Sequence, residues 1–233
     1  MSHSVFVAFK PGAPEPAIQE FIDALDEFPA NKPGLRRWIS GKTGPYYPSA
    51  SKEFTHAFCC EVDSPQAMLD YASHPFHREA AKHMGPIVDH YLVLDFEYTR
   101  VQQSAVVHQV SGDGQQAVAH VVMLKFKEEV PAEQVQEFIT LLDRFPREKP
   151  HIRRWISGKT GPFYPSATKD YTYAFIAEVD SIEAMKEYAV HPYHRDVVGP
   201  KLGPIMEKVL VVDFAFSRVM QSAQDYFQVV RYR

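Results

Sequence analysis

The sequence predicts an α+β protein made of two βαββαβ units in tandem, their sheets closed against each other into one intramolecular, pseudo-dimeric α+β barrel. Three observations predict it. The first is a long internal repeat: the run Arg36-Arg37-Trp38-Ile39-Ser40-Gly41-Lys42-Thr43-Gly44-Pro45 returns 117 residues later as Arg153 to Pro162. Residues 31–79 match their partners at about two-thirds of positions, and the period is too long for a solenoid unit. The second is the order of periodicities within each copy, which is strand, helix, strand, strand, helix, strand. The third is a first strand that is apolar on both faces, so both faces need a cover. Helices cover one face of such a sheet, and the sheet of the other copy is left to cover the second.

Each element has its own signal. Residues 3–10 alternate as a strand, with His3, Val5, Val7 and Phe9 on one face and Phe6 and Ala8 on the other. Pro14 to Phe28 reads as a helix whose Ile18, Phe21, Ile22 and Leu25 share one side, and Pro29 and Pro33 stop it. Leu35–Gly41 and Phe54–Val62 read as strands joined by a loop that opens at Gly44-Pro45. Ser64 is placed to cap a short helix reaching Ala72, and Pro75 suits the first position of another. Residues 91–99 form the last strand. The second copy repeats this pattern and gains one residue after His194: Gly85 matches Gly203 at 118, not 117. The predicted division is a first repeat at 1–101, a Gln/Ser/Gly-rich linker at 102–117, a second repeat at 118–219 and a C-terminal arm at 220–233 that packs back on the body.

Composition narrows the partners. The chain carries 25 basic and 29 acidic residues with no basic block, which argues against nucleic acid. No apolar run approaches the ~20 residues that span a bilayer, and the N-terminus enters a strand without room for a signal peptide. Cys59 and Cys60 are neighbours on a strand and point to opposite faces, so they do not suit a disulfide with each other. A reduced, cytoplasmic setting is expected. The expected partner is an apolar small-molecule substrate or ligand, with further homo-oligomerisation left open.

The chemistry-bearing residues cluster before the last strand. Copy one reads Tyr71-Ala72-Ser73-His74-Pro75-Phe76-His77-Arg78, and copy two reads Tyr188-Ala189-Val190-His191-Pro192-Tyr193-His194-Arg195. With His3 opening the first strand and Thr55-His56 on the third, this Tyr-x-x-His-Pro-x-His signature resembles the stress-responsive A/B barrel family of dimeric α/β barrels over nearly the whole of each copy. The resemblance implies a central barrel, here built within one chain. Among the family's enzymes is a cofactor-free plant polyketide cyclase. By that resemblance His77 falls on the proposed base, Tyr71 on its tyrosine partner and His56 on a further pocket histidine. His194 and Tyr188 keep the first two roles in copy two, where Tyr173 replaces His56. His3, Val5, Val7 and Phe21, with His120, Phe138 and Tyr173, are expected to line the substrate cavity, which the closing of the two sheets would enclose.

Elementary chemistry permits the role. His77 would sit in the first turn of a helix, whose positive end disfavours imidazolium and leaves a ring able to accept a proton. An activated carbon between two carbonyls needs a base and an oxyanion donor, without a cofactor or metal. His74 and His77, three residues apart, gain no carboxylate or thiol at a useful spacing for zinc. Against this stands a bland reading in which His74, His77 and Tyr71 tie two short helices together by hydrogen bonds. The function classes that follow are a cofactor-independent cyclase or lyase on a polyketide-like or carbonyl-bearing molecule, a non-catalytic ligand-binding barrel, and a monooxygenase or haem-binding relative. Among the remaining features, Gly41-Lys42-Thr43-Gly44 reads as a tight turn after the second strand. Arg36 and Arg37 point opposite ways and are expected solvated or paired at the sheet edge. The loop holding Tyr46, Tyr47, Phe163 and Tyr164 in the two copies is read either as a lid over the barrel mouth or as a loop anchored by aromatic packing.

Overall fold

The computed structural model describes every residue except Pro33, 105–115, 222–227 and Arg233. The first half runs β1 (Ser2–Phe9), α1 (Glu15–Asp26), α2 (Phe28–Asn31), β2 (Leu35–Lys42), β3 (His56–Val62), α3 (Pro65–Ser73), α4 (Pro75–Lys82), α5 (Met84–Ile87), β4 (Val88–Glu97) and β5 (Arg100–Ser104). The second runs β6 (Ala117–Phe126), α6 (Ala132–Leu142), α7 (Phe145–Glu148), β7 (Ile152–Thr160), β8 (Tyr173–Val179), α8 (Ile182–Val190), a π-helical turn (Tyr193–Val198), α9 (Gly199–Ile205), β9 (Met206–Phe216), β10 (Met220–Gln221) and β11 (Gln228–Tyr232). The predicted elements are all present. The residue gained by the second copy is absorbed in the π-helical turn, the usual fate of a single insertion into a helix. Among the described residues no helix is long and apolar enough to cross a membrane.

The strands follow the order β2-β3-β1-β4-β7-β8-β6-β9, and β9 returns to β2 through a bridge between Thr43 and Phe214. The two half-sheets thus close into one eight-stranded barrel. Both seams need glycine. A Cβ on Gly41 would meet the Ala215 carbonyl oxygen at 1.8 Å, and one on Gly158 would meet that of Glu97 at 1.6 Å. The Gly-Lys-Thr-Gly run is therefore not a turn after the strand: the strand continues to Lys42, and its glycine admits the neighbouring backbone. The stretch expected as a linker from Gln102 begins as strand, since β5 reaches Ser104 and pairs with β7; residues 105–115 lie outside the described residues. The C-terminal arm pairs back on the body, β10 against β2 and β11 parallel to β5.

Two faces of the sheet make two kinds of core. The inward face fills the barrel with Phe6, Ala8, Leu94, Phe96, Val121, Met123, Val212, Phe214 and Phe216, drawn from both halves. His3, Val5, Val7 and Phe21, expected to line a cavity enclosed between the two sheets, do not face this interior but the helix-covered side, which corrects that expectation. The outward face of each half packs under its own helices: Val5, Val7 and Phe58 meet Ile18, Phe21, Leu25 and Met68 in the first. The candidate site lies in that outer layer.

The halves are also joined by buried charge. Arg37 grips Glu178 with Nη2 at 2.5 Å, and Arg154 grips Glu61 at 2.8 Å; the crossed contacts Arg37–Glu61 and Arg154–Glu178 are 3.6 and 3.7 Å. Tyr98 donates its hydroxyl to Glu61. Arg37 is thus neither solvated nor at an edge, because the alternation of β2 turns it toward the opposite half, while Arg36 turns the other way and pairs with Asp63.

Candidate active site

The Tyr-x-x-His-Pro-x-His motif splits into parts with different work. His74 ends α3 and begins α4 as its N-cap, its Nδ1 accepting from the Phe76 N–H at 3.3 Å; His191 does the same for Tyr193. Extended backbone at His74 followed by Pro75 makes the corner. The first histidine is a structural cap. The second, His77, stands in the first turn of α4 and points into a cavity of about 140 Å³ between the sheet and its helices. His3, Val5, Phe21, Leu25, Tyr91 and Tyr164 are among its walls.

His3 and His77 flank Tyr164, which belongs to the other half. Tyr164 lies in the loop between β7 and β8, and its ring is 5.0 Å from that of His3 and 5.8 Å from that of His77. Its hydroxyl is 3.4 Å from His77 Nε2. Asp95 holds the group together: Oδ1 accepts a hydrogen bond from His3 Nδ1 at 2.7 Å, and Oδ2 accepts from the Tyr164 N–H at 2.5 Å. The second half repeats this, with Asp213 joined to His120 at 2.7 Å and to the Tyr47 N–H at 2.6 Å, and the Tyr47 hydroxyl 3.1 Å from His194 Nε2. The loops read as a lid over the barrel mouth or as an anchor are anchors, each pinned by its backbone, and each covers a histidine in the outer layer of the opposite half.

The other predicted residues are placed differently. Tyr71 packs 5.2 Å from His77 with its hydroxyl buried and without a hydrogen-bond partner among the described residues, and it is not among the cavity's walls. Tyr188 is likewise buried, 5.6 Å from His194. His56 is not brought to His77. It lines a second cavity of about 410 Å³ with Val7, Lys42 and Tyr46, and both its ring nitrogens lack hydrogen-bond partners among the described residues. Phe21, Leu25 and Phe58 line both cavities and form the wall between them. Phe138 and Tyr173 are core residues packed around Phe126.

Two pairs escaped the sequence reading. Asp95 and Asp213 sit in apolar runs such as Leu92-Val93-Leu94-Asp95-Phe96, and a lone acid repeated in a strand core was a signal. Lys32 and Lys149 are buried, each donating to the carbonyl of the motif tyrosine, Tyr71 at 3.1 Å and Tyr188 at 2.7 Å, with Nζ 3.6 and 3.3 Å above its ring. Only their recurrence at the repeat offset marks them. Burial pushes Lys32 down to about 7 and Lys149 to about 6.

Burial, then the charge of Lys32, pushes His77 from 6.5 to about 4; burial, then Lys149, takes His194 to about 3. Both rings are neutral near pH 7, as predicted, although burial rather than the helix end is the main cause. Burial, then Lys42, holds His56 at about 4. Unfolded histidine binds its proton near 6.5, so acidification favours the unfolded chain between pH 6.5 and about 4. The histidines' contribution to stability is therefore expected to be whole above pH 6.5 and to be lost steadily toward pH 4. Urea melts at half-unit steps would show it, and a midpoint unchanged from pH 7 to 4.5 contradicts neutral burial of these rings.

The comparisons with known proteins agree with this architecture. Residues 1–98 and 118–216 each match the model of the stress responsive A/B barrel domain. A stress-response A/B barrel domain-containing protein of Arabidopsis thaliana is 25% identical over 182 residues, 75% of this chain and 64% of the relative, so the match spans under two-thirds of that protein. Olivetolic acid cyclase of Cannabis sativa is 30% identical over 100 residues, 42% of this chain and 95% of that enzyme. Among solved structures, a monooxygenase-like protein of Fusobacterium nucleatum subsp. nucleatum superposes with TM-score 0.66 at 8% identity over 97% of both chains. An anthrone oxidase-like protein gives 0.64 at 11% identity over 97% of this chain and 94% of that one. At such identities these two structures share the fold alone.

Proposed function

The chain belongs to the stress responsive A/B barrel domain family, with one domain in each half, and from that premise we propose that it is a cofactor-independent cyclase or lyase acting by acid–base chemistry on a polyketide-like or otherwise carbonyl-bearing small molecule. One observation carries the reading: a neutral, half-buried histidine on the wall of an apolar cavity, with a phenolic hydroxyl at its Nε2. A base held neutral and a donor beside it are what proton abstraction next to a carbonyl needs. His77 is the base of the first site and His194 that of the second. The similarity to olivetolic acid cyclase over nearly all of that enzyme supports the same class of chemistry.

The cavity sizes suggest how a substrate sits. The 140 Å³ space at His77 suits a small reacting head, and the 410 Å³ space beyond Phe21, Leu25 and Phe58 suits an apolar tail if those side chains part. The small size of the first space also favours the competing reading, a barrel that binds a ligand without turning it over.

The test is direct. Purified protein, without added metal or cofactor, is incubated with linear poly-β-keto thioesters bearing alkyl tails of increasing length, and products are followed by mass spectrometry. Cyclised product formed faster than in buffer is expected. Saturable binding of the same compounds with no turnover at any tail length would establish the binding barrel instead.

A further inference from the structure

The hydroxyl that meets His77 is not the one that its own motif supplies. Tyr71 keeps its hydroxyl buried, off the cavity wall and without a hydrogen-bond partner among the described residues. Tyr164 lines the cavity with His3 and His77 and directs its hydroxyl at His77 Nε2 from 3.4 Å. The second half repeats the hydroxyl–imidazole pair, with Tyr47 and His194 at 3.1 Å. Each tyrosine is anchored independently of that contact, by its backbone N–H on Asp95 or Asp213. The docking extends along the strand, Gly161 to the Asp95 carbonyl at 3.1 Å and Thr168 to the Val93 carbonyl at 2.8 Å, and in the mirror Gly44 to Asp213 and Ser51 to Val211. Burial raises both phenols above their ordinary 10, so they remain protonated donors at neutral pH.

We infer that Tyr164 in the first site and Tyr47 in the second are catalytic hydroxyls that hold the carbonyl oxygen of an enolisable ketone or thioester, so that each site is completed by the opposite half of the chain. This rests on the acid–base reading above and narrows its substrate to one with an acidic C–H beside that carbonyl. A separation of 3.4 Å is longer than a good O–H···N hydrogen bond, so a substrate oxygen displaces Nε2 from the hydroxyl at little cost. The substrate C–H bond breaks and its proton passes to His77 Nε2. The electron pair left behind forms the C=C of an enolate, whose negative oxygen accepts from the Tyr164 hydroxyl. The enolate carbon then attacks a second carbonyl carbon of the same molecule. The C–C bond forms, the first carbonyl is restored, and the new alkoxide takes the proton back from His77 Nε2. The imidazole ends neutral, and no oxidant or cofactor enters.

The probe is 4-nitrophenol, whose phenolate mimics the enolate oxygen and reports its own ionisation by absorbance. The full chain is expected to bind it and to lower its pKa. Combined Tyr164→Phe and Tyr47→Phe substitution, which keeps both rings and both backbone anchors, is expected to weaken phenolate binding about tenfold or more and to return the bound probe's pKa toward its free value. Should the combined variant unfold, the two single variants, each with one loop native, decide the matter by halving the number of tight sites. Phenolate binding unchanged in these variants overturns the inference, as does no binding to the parent protein, or a loss caused by Tyr71→Phe but not by Tyr164→Phe. Poly-β-keto turnover that persists at the parent rate in the combined variant overturns it too, while leaving the acid–base reading intact. Hydroxyl-dependent phenolate binding in a parent protein that turns nothing over leaves the two hydroxyls as ligand contacts only, and overturns their catalytic role together with the acid–base reading it rests on.

Discussion

Arg37→Ala is expected to destabilise the protein by about 3–5 kcal/mol, a fall of roughly 6–20 °C in Tm for a chain of this size. Arg37 and Glu178 are on opposite halves, 7% and 2% exposed, and share short contacts from Nη2 to both carboxylate oxygens. Arg154 and Glu61 form the mirror pair, and the crossed distances of 3.6 and 3.7 Å make the four charges one neutral cluster. Deleting one guanidinium leaves a net negative charge where water cannot solvate it, with Glu178 dependent on Arg154. The cost arises from that uncompensated charge, not from the lost attraction alone. Removing both partners together, as Arg37→Met with Glu178→Leu, should therefore cost much less than Arg37→Ala. Thermal and urea unfolding of the single and paired variants would check this. A single-variant cost under about 1 kcal/mol, typical of exposed pairs, would mean that the cluster is solvated and does not join the halves.

That cluster marks the limit of what the sequence made legible. Local signals were faithful. Ser64 caps α3 through the Ala67 N–H, Pro75 opens α4, and the apolar stripe of α1 buries Ile18, Phe21 and Leu25. The alternation Arg36-Arg37 showed that the two side chains diverge, but Glu178 is 141 residues away and nothing local to β2 names it. The side of the sheet that holds the site was obscured for a related reason. Both faces of β1 are apolar, so hydrophobicity could not tell the packed interior of Phe6 and Ala8 from the helix-covered face of His3, Val5 and Val7. Polar residues could not decide it either, since the inward face carries the Arg37–Glu178 and Arg154–Glu61 pairs while His3 and Asp95 pair on the outward one. Similarly, it was the family resemblance that named Tyr71 as partner to His77. The hydroxyl that reaches His77 belongs to Tyr164, brought there only when the barrel closes.

Turnover of a poly-β-keto substrate is expected to fall by about 10²–10⁴-fold when His77→Ala and His194→Ala are combined, with Tm nearly unchanged. The two histidines of each motif make the contrast sharp. His74 and His191 cap helices, so their loss acts on stability. His77 is half-buried at a cavity wall, and its hydrogen bond runs to a loop tyrosine that is separately anchored on Asp95. Truncating it enlarges a space that already exists and strands no buried charge. A fall in Tm comparable to that of Arg37→Ala would instead make His77 a structural hinge and leave the cavity without a base. The single variants divide the rate between halves, and His77→Ala should cost more if the cavity beside His56 takes the substrate's tail, because Tyr173 fills that position in the second half. The pH profile adds a check independent of fold. A base held near 4 at His77 and near 3 at His194 is deprotonated over almost the whole working range, so the rate should climb through pH 4 and stay level above about pH 5. A rate that instead rises through pH 6.5 would report a solvated histidine, and the burial that makes these rings neutral would not be acting in catalysis.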